Sequence, residues 1–417
     1  MEQRDIVIAG GGMVGISLAL QLACKLPPTV RIMLVEGFPL PESTTVPAYH
    51  PSFDARSTAL SYSTRRIFES MGIWRELERW LCPIESIHVS NRGRFGSTLM
   101  TAAESGWQAL GYVVENAWLG QALIGALRQQ GRVEVISPAK VTAASPADDG
   151  SVMLTLVKSG EGAHREHYWR SHLLVVADGA ASGLRGSLGV AVSEKSYQQS
   201  ALISNVTFPH DHNNRAFERF TASGPLALLP LLPSEPGEYR SALVWTLPPE
   251  RANELAQAAD DVFLMALQDH FGYRLGRFLR SGQRHCYPLS LMQASEQLRS
   301  GIAVMGNAAH TLHPVAGQGF NLALRDVDRL ATILADAQQP GDYGSLQVLE
   351  QYQRAQRNDQ VRTIGASDVL PELFMHSDPL LGLARDMALS GLDVIAPLKQ
   401  EFVRYAAGVA ALGDQHG

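Results

Sequence analysis

The stretch from Gly306 to Asp326, GNAAHTLHPVAGQGFNLALRD, sets two histidines, a proline and several glycines ahead of a helical pattern. His310 and His313 suggest a metal, the glycines a phosphate, and the run as a whole a loop against something flat. The metal reading is weak. The histidines stand in a strand-to-loop context unlike a helical H-E-x-x-H, and no Glu, Asp or Cys stands beside them to complete a ligand set. No metal is therefore expected, and one or both histidines read better as hydrogen-bonders organising the loop. Pro314 fixes one φ angle, the glycines let backbone approach a planar ligand, and a helix starting near Gly319 would turn its positive end toward it.

A second chemical pattern lies at the N-terminus, where DIVIA (residues 5–9) reads as a short buried strand. Gly10-Gly11-Gly12-Met13-Val14-Gly15 follows at once, and then an apolar helix to about Leu26. Strand, G-x-G-x-x-G and helix in succession form the dinucleotide fingerprint. Gly10 permits the tight turn, Gly12 lets backbone amides approach a pyrophosphate, and Gly15 lets the helix lie close to the sheet. Glu36 ends the next strand, RIMLVE, near the position where an acid takes ribose hydroxyls. The pattern does not separate NAD from FAD.

The elements positioning these loops follow from periodicity. A proline-rich loop follows Glu36, then a helical stretch opening near Asp54 and a second around Leu119, Leu123 and Leu127. VEVIS, VMLTLV and LLVVADG read as strands, the last ending in Ala177-Asp178-Gly179. From about Lys195 to Thr246 alternating strands dominate, followed by one helical stretch, ANELAQAADDVFLMALQDHFG. GIAVMGNAAH then returns to a buried strand and the first loop. The fold class is α/β with mixed α+β character: a Rossmann-like nucleotide domain, an inserted β-rich domain and a helical C-terminal tail. The expected limits are 1–80, 108–183 and 284–365 for the discontinuous nucleotide domain, 81–107 and 184–283 for the β-sheet domain, and 366–417 for the tail.

Bulk properties narrow the function. A chain of 417 residues exceeds the ~250–300 at which one core stops growing, so two domains are expected. With 35 basic and 41 acidic residues the net charge is −6, and neither sign forms long runs, so nucleic acid is an unsuitable partner. Cys24, Cys82 and Cys286 are widely spaced, which fits neither a disulfide framework nor a zinc site and points to a reducing, cytoplasmic setting. Glu2, Asp5 and Gln21 argue against a cleaved signal, and no run of ~20 apolar residues offers a membrane span.

Three separated motifs carry a family likeness: Gly10–Gly15 with Glu36, ADGAASGLR at 177–185, and Gly306–Asn321. In this order the chain resembles, over nearly its full length, the single-component flavin-dependent aromatic hydroxylases of the p-hydroxybenzoate hydroxylase fold. FDARSTAL, RAFERFTASGPLALLPL, SALVW and YPL make it most similar to the hydroxylases of ubiquinone biosynthesis. The resemblance implies FAD as cofactor, NAD(P)H as a transient reductant, and a polyprenylphenol and O2 as substrates. It implies Glu36 on the adenosine ribose, Arg56 near the flavin, Gln121 at the pyrophosphate, and Asp178-Gly179 in a second cofactor motif. It places Asn307 at the ribityl chain, and Pro314 and Gly317, Gln318, Gly319, Phe320 and Asn321 along the isoalloxazine. Most members carry Asp where this chain has Asn307; the amide keeps the hydrogen bonding and loses the charge.

Several readings stay open from the residues alone. Arg56 fits a helix cap, Gln121 an exposed helical position and Asp178 a plain turn. Glu218-Arg219 reads as a cross-strand pair or as a substrate contact. No general base is named; the flavin-facing His313, Pro314 and Gly317 are the nearest to a catalytic set. The apolar tail reads either as a packed helix pair or as a peripheral contact with the inner membrane or with other ubiquinone-biosynthesis proteins. Besides hydroxylation at another ring position, a flavin-binding structural subunit and a flavin-free nicotinamide dehydrogenase remain as alternatives.

Overall fold

The computed structural model describes residues 2–41, 56–92, 97–159, 166–235, 237–312 and 317–375. A parallel sheet runs Ile302–Val304, Glu166–Val176, Glu2–Ala9, Ile32–Val35, Val133–Ile136, with Leu298–Arg299 antiparallel at one edge. Its strands read as continuous apolar runs because both faces are covered. Ile6 and Ile8 enter one core, beneath the helices Met13–Lys25, Asn116–Gln130 and Gln318–Asp336. Val7 and Ala9 enter the other, beneath the antiparallel strands Ala139–Pro146 and Val152–Lys158. The glycine loop leaves the strand Glu2–Ala9 between the parallel neighbours Ile32–Val35 and Glu166–Val176, at the carboxyl edge where such sheets bind ligands.

A second sheet is largely antiparallel. Its order is His310–Thr311, His285–Ala294, Val192–Phe208, Glu238–Leu247, Gly224–Glu235, Arg215–Thr221, Ser86–Asn91, Ser97–Thr101, with Arg280–Ser281 paired to Val192–Phe208. Its outer face packs on Pro249–Gln257 and Asp260–Phe271 through Leu202, Phe217, Trp245, Phe263 and Phe271. A small sheet of Ser57–Ser61, Gly111–Glu115 and Cys82–Ile84 joins the two.

Four sequence expectations change. The strand His285–Ala294, placed by its number in the nucleotide segment 284–365, pairs with Val192–Phe208 in the antiparallel sheet; Pro288 obscures its strand pattern. The helix expected near Asp54 begins at Tyr62, because Ser57–Ser61 pairs as a strand and Ser61 caps the helix by accepting from the Thr64 N–H. The second stretch likewise opens as the strand Gly111–Glu115, with its helix starting at Asn116. The long helix of the insertion is two helices. Ala258 and Ala259 are extended, and Asp260 and Asp261 favour a fresh N-terminus.

The helix Gln318–Asp336 is fastened to Leu346–Met375 by a buried ionic cluster. Arg325 Nε donates to Asp359 Oδ2 at 2.7 Å and Arg329 Nη1 to the same oxygen at 2.8 Å. Gln360 Nε2 donates to Asp326 Oδ2 at 3.0 Å. The helix whose start faces the site is thereby held from its far side. Most of the expected tail, from 376 onward, lies outside the described residues, and no described helix is long and apolar enough to cross a membrane.

Candidate active site

Backbone geometry builds the first wall. Gly10 has φ +113°, and a Cβ there would overlap the Ala177 carbonyl and crowd Asp178 Cα; a Cβ on Gly15 would overlap the Gly10 carbonyl. Both positions exclude a side chain, which is why the loop demands glycine. Gly12 is the N-cap of Met13–Lys25, with no side-chain cap and no acid in the first turn, so the opening N–H groups keep their capacity for an anion. Glu36, 6% exposed, reaches back to the same loop: its Oε2 accepts from Gly11 N at 2.5 Å and its Oε1 from Phe38 N at 2.8 Å. Asp178 is exposed and Gly179 has φ +94°, so this turn flanks Gly10 directly.

The second wall is the start of Gln318–Asp336. Gly306, at φ +61°, brings its turn so near the first helix that a Cβ would meet Val14 at 3.1 Å. Asn307, next in the turn, opens onto a cavity. Gly317, also at φ +61°, is the N-cap of the long helix, again with no side-chain cap or first-turn acid. Asn321 joins two segments with all its hydrogen-bonding capacity in use. Its Oδ1 accepts from Ser61 N (2.9 Å) and Thr64 Oγ1 (2.7 Å), and its Nδ2 donates to Ala59 O (2.8 Å) and Gly317 O (2.9 Å). Its side chain therefore positions the loop and does not offer a free donor to a ligand.

Between these loops and the antiparallel sheet lies a cavity of about 410 Å³. Met13, Arg56, Asn307 and Gly317 to Asn321 line one side; Ile203, Ala216, Ala227, Leu229, Ala242 and Val244 line the other, with Ile84, Ile87, Met100 and Leu110 closing it. Arg56 lies over the Tyr287 ring at 5.0 Å. Glu218 also lines the cavity, and burial pushes its carboxyl up to about 7. Arg219, one residue on, turns to the other face, donating to His270 O at 3.0 Å. The two are therefore not a cross-strand pair.

The structure thus gathers Gly10, Gly12, Gly15, Glu36, Asp178 and Gly179 at one edge, and Arg56, Asn307, Gly317, Gln318, Gly319, Phe320 and Asn321 around the cavity. Gln121, which the resemblance puts at the pyrophosphate, stands apart from both groups. It lines a separate cavity of about 380 Å³ with Cys24, Trp80 and Trp118. Asn116 lines the main cavity, and at 100° per residue a side chain five positions on points well away from it. Of the two histidines expected to organise the loop, His310 is not a hydrogen-bonder: it is buried, neither ring nitrogen has a hydrogen-bond partner among the described residues, and burial pushes it down to about 4. It fills space as a neutral ring. His313 and Pro314 lie outside the described residues.

The glycine cradles and uncapped helix starts fit the pyrophosphate and flat ring of FAD, and the aliphatic wall fits an aromatic substrate. Together they define a flavin-dependent monooxygenase. A family model described as FAD binding domain matches residues 3–364. Ubiquinone hydroxylase UbiL of Rhodospirillum rubrum is 34% identical, covering 99% of this chain and 91% of its own. The 3-demethoxyubiquinol 3-hydroxylase of Escherichia coli is 31% identical, covering 98% and 99%. The crystal structure of p-nitrophenol 4-monooxygenase PnpA from Pseudomonas putida DLL-E4 superposes with TM-score 0.76 at 17% identity, covering 100% of both chains. The chain belongs to the FAD-dependent aromatic hydroxylases, in the ubiquinone-biosynthesis hydroxylase family. FAD is its cofactor and NAD(P)H the reductant typical of the family.

Proposed function

We propose that the protein hydroxylates a polyprenylated phenol in ubiquinone biosynthesis, with 2-octaprenyl-6-methoxyphenol, converted to its 1,4-benzoquinol, as the preferred ring. The observation that carries the lipid-phenol reading is the cavity wall. Ile84, Ile87, Met100, Ala227, Leu229 and Val244 present aliphatic surface opposite the Gly317–Asn321 helix start. The choice of ring rests on Asn307, which the octaprenyl-methoxyphenol enzymes share where most members have Asp. Bound FAD supplies reduction by NAD(P)H and activation of O2.

The chain's own residues bind, orient and exclude water. The amides of Gly11 to Val14 hold the pyrophosphate, Glu36 exchanges its Gly11 contact for ribose hydroxyls, and Asn307 takes the ribityl chain. Arg56 lies beside the ring system, and the Gln318 helix start stabilises negative charge on it. Asp178 and Gly179 complete the cofactor edge. The nicotinamide binds transiently, since the sequence holds one strand-coupled glycine fingerprint. Delivery of so apolar a substrate calls for contact with other ubiquinone-biosynthesis proteins or with a membrane surface.

The test is regiochemical. The FAD-loaded protein is given NAD(P)H, O2 and short-chain forms of 2-prenyl-6-methoxyphenol, 2-prenylphenol and a demethoxyubiquinol ring, and products are assigned by mass spectrometry and NMR. The reading predicts para-hydroxylation of the methoxyphenol with kcat/KM about tenfold or more above the others, the difference that one well-used polar contact makes. A preference for the demethoxyubiquinol ring would instead support the second reading, hydroxylation at another ring position, which the name of the E. coli relative favours.

A further inference from the structure

We propose that the Glu218 carboxylate accepts the phenolic hydroxyl of the substrate, fixing which end of the ring lies deepest and taking its proton during oxygen insertion. The inference rests on the hydroxylase reading above and adds to it a named proton acceptor.

Strand alternation puts the carboxylate where it is. In Arg215–Thr221, Glu218 stands opposite Val89 on one neighbour and Ala227 on the other. Arg219 and Phe217 serve the outer face, Arg219 on His270 O and Ser90 Oγ and Phe217 edge-on to Phe271 at 5.4 Å. Glu218 is closed off from the outer surface and opens onto the cavity. Its carboxylate makes no hydrogen bond or ion pair within the described residues. Arg56 is the only other charged or titratable side chain among the described lining, and burial alone accounts for the rise of the Glu218 carboxyl to about 7. A lone carboxylate in such a place costs stability that an apolar residue would not. Ala216, Ala227 and Ala242 leave room around it for a ring.

The chemistry needs an acceptor there. As an oxygen atom adds to a ring carbon ortho or para to the hydroxyl, the phenol O–H electron pair becomes a ring C=O bond and the proton passes to Glu218. The hydrogen on the attacked carbon then leaves as H⁺, its bonding pair restores the aromatic ring, and the carbonyl oxygen takes the proton back from Glu218. NAD(P)H supplies two electrons, one oxygen of O2 enters the ring and the other leaves as water. The carboxylate is in its accepting form above a pH of about 7.

Two measurements on the FAD-loaded protein decide the matter. In the first, binding of a prenylated methoxyphenol and of its O-methyl ether is followed by the change each makes in the flavin spectrum. The wild type should prefer the phenol by roughly tenfold or more, the range of a charge-assisted hydrogen bond. Glu218→Leu should bind both within about twofold, while Glu218→Gln, which still accepts a hydrogen bond, keeps part of the preference. In the second, product formed per NAD(P)H consumed is followed across pH. The wild-type ratio should rise through about 7. In Glu218→Gln it should be flat and about a hundredfold lower, with partial recovery in Glu218→Asp. A Glu218→Gln protein with the wild-type ratio and pH dependence, or a Glu218→Leu protein that still prefers the phenol, overturns this inference alone. A wild type that takes up FAD yet oxygenates no phenol overturns the hydroxylase reading with it.

Discussion

The glycine edge and the aliphatic wall of the cavity are specified differently. From Gly10 to Glu36 the site is made of backbone: a positive φ, two forbidden Cβ positions and amides at a helix start, all within one βαβ unit. The wall opposite is made of alternate side chains drawn from separate strands, with Ala216 set beside Ile87 and Ile203 beside Val244 by pairings far apart in sequence. The first region should tolerate almost no change at Gly10 or Gly15, and the second many changes that preserve volume. Cofactor binding should therefore be brittle to small substitutions, and substrate choice tunable by moderate ones.

Substitutions that add one methyl group give the sharpest test of brittleness. Gly15→Ala forces its Cβ into the Gly10 carbonyl, which cannot yield without opening the loop. FAD affinity should fall by about a hundredfold or more, from lost phosphate contacts together with strain, measured by quenching of free flavin fluorescence. Next comes Asp359→Ala, which strands Arg325 and Arg329 between two helices. It should cost about 3–5 kcal/mol in denaturant unfolding. Asn321→Ala leaves the Ser61 N–H and the Gly317 carbonyl without this partner. It should cost about 1–3 kcal/mol and speed flavin release.

On the wall, Ala227→Phe should lower kcat/KM about tenfold by filling ring space and leave FAD affinity unchanged. That split would separate the two regions; equal loss of both would merge them. The smallest effect belongs to Gln121→Ala, which should alter FAD affinity by less than about twofold, since its side chain lines the cavity beside Trp80 and Trp118. A larger loss would bring that helix face back into the cofactor site.

The same contrast explains what the sequence disclosed. Gly10, Gly15 and Glu36 were legible because a local motif dictates a local conformation, and Gly317 because a helix start follows it at once. The place of Gln121 was not legible, because a helical position read without its phase has no direction: it lines the cavity beside Trp80 and Trp118, whereas Asn116 on the same helix reaches the main one. His310 resembled a polar loop residue in sequence, yet the return of its strand to the sheet buries both ring nitrogens. Glu218 was visible as a charge in FERF, but its role depends on which strand face is covered by Asp260–Phe271, and that is set by long-range pairing. The alternation in that strand was the one available signal: Arg219 and Glu218 cannot share a face.

The measurement that bears most directly on the whole account is isotopic. The FAD-loaded protein, given NAD(P)H and a short-chain 2-prenyl-6-methoxyphenol under 18O2, should yield a hydroxylated ring carrying one labelled oxygen for each NAD(P)H consumed. A folded protein that takes up no FAD, or one that consumes NAD(P)H and returns the phenol unlabelled and unchanged, would contradict it.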